Sequence, residues 1–188
     1  MKKGTIILIA VIIIAVIAVF SVMGSYNDLI EEQAEVEAAY ANISTQLQRR
    51  ADLIPNLVNT VKGYASHEEE IFTDIADARA KLSGASGAEE LSEANAQLDS
   101  ALSRLLVVVE NYPDLKANQN FIALTDELAG TENRISVARK DYNEEVMDYN
   151  TDIRKFPKSI LAGMFGFEKA EYFEADEESK NAPEVNFD

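Results

Sequence analysis

A chain of 188 residues with 17 basic and 33 acidic side chains carries a formal charge of −16, which excludes nucleic acid as a ligand. It has no cysteine. That removes disulfides, thiol catalysis and the usual structural zinc sites, so burial of apolar surface has to hold the fold.

The first predicted element is a membrane span. Thr5 to Met23 is 19 residues without a charge, with Thr5 and Ser21 its only polar side chains, the length a helix needs to cross a bilayer. A secretory signal would end its apolar core after about 7 to 15 residues and follow it with a small-x-small cleavage site. Val22-Met23-Gly24 fits that poorly, so residues 1–24 are read as an uncleaved single-pass anchor. Lys2 and Lys3 precede the span and the next basic residue is Arg49. The positive-inside rule then leaves the N-terminus in the cytoplasm and places the rest of the chain outside it. The few residues on the cytoplasmic side leave no room for an intracellular effector. Residues 24–188 hold 15 basic and 33 acidic side chains, a formal charge of −18, which repels anionic headgroups and keeps most of the domain off the membrane surface.

From Asn27 the apolar residues recur at spacings of three and four: Leu29, Val36, Ile43, Leu57 and Tyr64 in one series, Tyr40, Leu47, Ile54 and Val61 in the other. This heptad seam predicts a helix over about 27–66. Gly63 reads as its end and Ser66-His67-Glu68-Glu69 as a new N-cap with a capping box. A second helix, about 68–83, carries Ile71, Ile75, Ala78 and Leu82 and stops at Ser83-Gly84-Ala85-Ser86-Gly87. A third, about 89–111, turns Leu91, Leu98, Leu102, Leu105 and Val109 one way, until Pro113 denies Tyr112 a helical conformation. The fourth, about 115–156, places Phe121, Leu128, Ile135, Tyr142, Tyr149 and Phe156 seven apart and ends at Pro157. The fold class is therefore all-α: a transmembrane helix, then an elongated antiparallel up-down-up-down four-helix bundle over 25–157. An apolar return segment and an acidic, loosely ordered tail fill 158–188. Pro55 is read as a kink in the first helix, because a turn there would leave the fourth helix about a third too long.

If the two long helices are antiparallel and level at Asn27 and Phe156, facing positions sum to about 183, and Pro55 and Gly130 fall in one layer, the glycine giving the kink room. Arg50 occupies a heptad core position in that layer. A core arginine needs a partner, and the register offers Glu132, flanked by Arg49, Asp52, Asn56, Asn133, Arg134 and Arg139. Such a layer either fixes register, as polar residues do in coiled coils, or binds a ligand. A second anomaly is the return segment, where Arg154, Lys155 and Lys158 sit among Phe156, Ile160, Leu161, Met164, Phe165 and Phe167. It suits membrane-interface contact, and equally a helix C-terminus with apolar residues closing the core.

Catalytic chemistry is not expected. Di-metal bundles use paired Glu-x-x-His motifs, whereas His67 is the only histidine and Tyr64 stands three before it. Glu68, Glu69 and Glu70 point in different directions around a helix start, so no metal site and no cofactor are expected.

Gln48-Arg49-Arg50-Ala51-Asp52-Leu53-Ile54-Pro55-Asn56-Leu57-Val58, Val61-Lys62-Gly63-Tyr64-Ala65, His67-Glu68, Tyr112-Pro113-Asp114-Leu115-Lys116-Ala117-Asn118 and Gly130-Thr131-Glu132-Asn133-Arg134-Ile135 stand in this order, followed by Ala138-Arg139, Tyr142-Asn143, Phe156-Pro157 and Phe165-Gly166-Phe167. This set closely resembles the bacterial LemA family across essentially the whole chain after the anchor. The resemblance implies a single-pass bacterial membrane protein with a four-helix bundle and brings no catalytic motif with it. One branch of the family is similar to proteins associated with magnetosome membranes, which implies organising or shaping a membrane rather than converting a substrate.

The expected function is that of a membrane-anchored scaffold or interaction module of the cell envelope, held by lipid at its N-terminal helix and presenting acidic faces to partner proteins or to copies of itself. The alternative is an extracytoplasmic sensor subunit that binds a small ligand at the central polar layer.

Overall fold

A computed structural model describes residues 3–65 and 67–173. Among them the chain is all-helical: α1 Lys3–Lys62, α2 Glu69–Gly84, α3 Ala88–Val109, the single turn α4 Pro113–Lys116, α5 Gln119–Asp152 and α6 Lys158–Phe165. The expected Ser66 cap and the acidic tail beyond residue 173 lie outside the described residues.

The apolar start and the first heptad helix form one unbroken helix, α1, which continues through Pro55. Along Ile6 to Met23 its apolar side chains are bare, with Ile14 66% and Phe20 69% exposed. This stretch is long and apolar enough to cross a membrane.

Two units share α1 and α5: one draws on Met1–Ala38 and Glu144–Ala170, the other on Ala39–Asn143 and Glu171–Asp188. In the second unit the core is built from Ile43, Leu47, Ile54, Leu57 and Val61 of α1, Ile75 and Leu82 of α2, Leu98 and Leu105 of α3, and Ile135 of α5. Here α1 and α5 run in opposite directions, since Tyr40 meets the ring of Tyr142 while Arg50 meets Glu132. The α2 and α3 segments pack as an antiparallel hairpin, tied by Asp74 to Arg104 and by Lys81 to Gln97. Gly87 allows the sharp entry into α3 because its φ of 88° suits a residue without Cβ, and its N–H donates to the Tyr40 hydroxyl at 2.9 Å. The residues up to Phe173 close the unit. Asn143 pairs with both backbone groups of Phe173, whose ring is buried beneath the Arg139 guanidinium.

In the first unit, α6 lays Leu161 and Ala162 on Leu29, with Ile153 and Phe167 packed around them. Gly166, at φ 76°, ends α6 in the left-handed conformation. The N–H groups of Gly166 and Phe167 both donate to the Ala162 carbonyl at 3.0 Å. This turn brings Phe167 back beside Tyr26.

Three helix limits differ from the sequence reading. The first heptad helix ends at Lys62 rather than 66, which takes Tyr64 off the seam and leaves it 43% exposed. The fourth helix starts only at Gln119, because the Asn118 side chain accepts from the N–H groups of Asn120 and Phe121 and so caps a fresh helix. It stops at Asp152, and the turn that follows takes Phe156 out of the heptad phase and leaves it 83% exposed.

Candidate functional site

Each unit holds one polar node. In the unit of Ala39–Asn143, heptad position places Arg50 on the buried face of α1, 6% exposed. Helix α3 supplies Asn95 and Asp99, one turn apart on the face that also buries Leu91, Leu98 and Leu102, and α5 supplies Glu132. Arg50 Nη1 donates to Glu132 Oε2 at 2.6 Å and to Asn95 Oδ1 at 3.0 Å, while Nη2 donates to Asp99 Oδ1. Asn95 Nδ2 completes the ring by donating to Asp99 Oδ2 at 2.8 Å. Burial pushes the Asp99 carboxyl above the usual carboxylate range, a shift that the Arg50 guanidinium reduces and the neighbouring Glu132 reinforces. One guanidinium against two carboxylates leaves the node net negative. Beside it lies a cleft of about 210 Å³, walled by Leu57, Leu102, Leu106 and Leu128 and floored by Arg50, Asp99 and Glu132.

Of the residues grouped with this layer by sequence, Arg49 and Arg134 meet elsewhere, on the exposed carboxylate of Glu127 at 2.6 and 3.1 Å. Asp52 is exposed and accepts from Gln48. Asn56 and Asn133 are also exposed, and Arg139 covers Phe173. Successive residues of a helix point about 100° apart, so neighbours of a core position in sequence seldom share its face. Gly130 does not make room for Pro55: the three atoms nearest a Cβ there all belong to the Arg134 guanidinium of its own helix, 3.5 to 3.9 Å away. Asn95 and Asp99 went unrecognised by sequence. The available signal was Asn95, a polar residue inside the Leu91, Leu98, Leu102 stripe.

In the other unit the node is Lys158. Its Nζ lies 2.6 Å from Asp152 Oδ2, 2.8 Å from Glu32 Oε1 and 3.9 Å from Asp28 Oδ2. Hydrogen bonds from Lys155 and Lys158 hold the Asp152 carboxyl down at about 2. Burial pushes Glu32 up against the pull of Lys158. For Lys158 itself burial acts downward, but the bonds to Asp152 and Glu32 outweigh it and raise the ammonium above its ordinary value. Among the residues read as membrane contacts, Lys158 and Leu161 therefore turn inward. Arg154, Lys155, Phe156, Ile160, Met164 and Phe165 stay exposed, and Phe167 is half-buried.

A chain whose described residues are all-helical and that carries a bare, bilayer-length apolar segment is a membrane-associated protein. Residues 39–187 match the model of the LemA family, and the chain belongs to that family. It is similar to Magnetosome protein MamQ 2 of Paramagnetospirillum magneticum, 28% identical over 195 residues that cover 88% of this chain and 72% of that one. Magnetosome protein MamQ of Magnetospirillum gryphiswaldense is 27% identical over 201 residues, covering 92% and 74%. Protein LemA of Metamycoplasma hominis is 28% identical over 160 residues, covering 84% and 73%.

Proposed function

We propose that the chain is a membrane-anchored, non-enzymatic scaffold or protein-interaction module of the bacterial cell envelope, an antiparallel four-helix bundle held outside the cytoplasm by a single-pass helix. The observation that carries this reading is the engagement of Arg50. Its charge-assisted bonds reach three side chains on two other helices. A node so occupied fixes the register of the helices it joins and leaves the solvent-facing acidic surface as the part offered to a partner. The names of the magnetosome relatives attach them to a cellular structure rather than to a reaction, which supports the same reading. Carboxyl-to-amine cross-linking in intact cells is expected to trap the chain with envelope proteins or with further copies of itself. Recovery of uncross-linked monomer alone would overturn the scaffold.

The cleft beside Arg50 favours a second reading, a sensor subunit. Its apolar walls and net negative floor suit a small organic amine with an apolar body. Thermal unfolding of the full chain in detergent tests this, because a ligand of the native state at one hundred times its Kd adds about 2.7 kcal/mol. Under the sensor reading alkylamines raise Tm and Glu132→Gln cancels the rise; an unchanged Tm counts against it.

A further inference from the structure

Among the described residues, nothing covers the outer face of α6. Leu161 and Ala162 face inward onto Leu29, while Ile160 and Met164, four residues apart within the helix and so along one stripe, are 55% and 72% exposed, and Phe165, whose ring meets Tyr26, is still 56% exposed. A stripe of this kind on a soluble helix would be an aggregation hazard. Its place along the chain identifies what covers it. The Phe165 and Phe167 rings lie 4.8 and 5.8 Å from the ring of Tyr26, and Tyr26 follows the apolar segment of α1 by three residues. At 1.5 Å per residue, Ile6 to Met23 extends about 27 Å, close to the hydrocarbon thickness of about 30 Å, so Tyr26 stands about 4.5 Å beyond it, at headgroup depth. The rings in contact with Tyr26 share that depth.

We propose that the C-terminal end of α6, with Met164 and Phe165, is a second membrane contact, reaching the headgroup layer of the same bilayer that the start of α1 crosses. It rests on the anchor reading given above. It also assigns the fold a task there: α6 packs on Leu29 and so fixes the angle at which α1 leaves the lipid. A helix joined to the membrane by one span alone can tilt about its exit point, whereas two contacts restrict that motion.

The chain contains no tryptophan, so one introduced residue is a unique emitter. The full chain is reconstituted into phosphatidylcholine vesicles containing phosphatidylglycerol, with nitroxide quenchers placed either near the headgroup or deep in the acyl chain. Met164→Trp is expected to emit to the blue of its value in detergent-free water and to lose most of its emission to the shallow quencher, little to the deep one. Ile14→Trp, in mid-span, reports the anchor and is expected to show the reverse preference. If Ile14→Trp is quenched and Met164→Trp emits as in water, the second contact is wrong and the anchor stands. If Met164→Trp is blue-shifted but untouched by either quencher, a protein surface covers α6 and the proposal fails. If neither is quenched, the span is absent and the proposal fails with it.

Discussion

Arg50→Met is expected to lower unfolding stability by about 2–4 kcal/mol, read as a fall in Tm or denaturant midpoint of the full chain in detergent. Removing one member of a buried pair usually costs about 3–5 kcal/mol. The carboxylates left behind, however, are 33% and 42% exposed and regain part of their hydration, which lowers the expectation. Methionine keeps the volume, so the loss reports charge and hydrogen bonding rather than a cavity. Asp99 gives the variant a pH signature. Its pKa is raised in the folded chain, so its contribution is fully present below the unfolded value and falls as pH rises through the folded one. Without the guanidinium that restrains this shift, the folded value climbs further, the window widens, and Arg50→Met recovers stability on acidification more than the parent does. Adding Asp99→Leu and Glu132→Leu removes the orphaned acceptors and is expected to restore most of the loss. If that triple variant is stable and still cross-links to the same partners in cells, the node serves register alone. If Arg50→Met unfolds at the parent's midpoint, the node is dispensable.

The residues that sequence placed well are those whose position follows from period. Leu29, Ile43, Leu47, Ile54, Leu57 and Val61 are all buried on α1, because the seam repeats within one uninterrupted helix and each turn restates the phase. The same arithmetic paired Arg50 with the neighbourhood of Glu132, and the two side chains are in contact. It lost accuracy where side chains redefine the backbone. Asn118 starts a helix by capping it, and the turn after Asp152 ends the phase that would have buried Phe156. The polar layer was harder to read. A sum rule aligns the two long helices, but none sets the height of α3 against α1, so Asn95 and Asp99 do not show in the sequence, whereas exposed neighbours of Arg50 look like members of its layer. The Lys158 node was legible in type only: a lysine in an apolar segment is consistent with a lipid-facing cation or with a partner, and its acids come from Glu32, 126 positions earlier.

That node yields the second large effect. Lys158→Met is expected to cost about 1–3 kcal/mol, below the full range for a buried pair because Lys158, Glu32 and Asp152 retain 16%, 22% and 23% exposure. Amide exchange of α6 locates the loss, since Leu161 and Ala162 dock on Leu29 only while the turn from Ile153 to Pro157 is held. The pH dependence differs between the two proteins. In the parent, Asp152 is depressed to about 2, so its stabilising contribution is complete above the unfolded value near 3.8 and is lost as pH falls through about 2. Glu32, raised by burial, acts the other way: its protonation stabilises the folded chain as pH falls. Lys158, raised by its acids, contributes fully below about 10.5 and loses that contribution only as pH climbs past its folded value. Removing Lys158 deletes the cation shared by Asp152 and Glu32, so Glu32 favours the proton in the folded state more strongly, while Asp152, still bonded to Lys155, is held down less. Between about pH 5 and pH 2 the stability gap between parent and variant is therefore expected to close. A gap that holds constant across that interval would show that Lys158 acts through packing of its alkyl chain rather than through the charges around it.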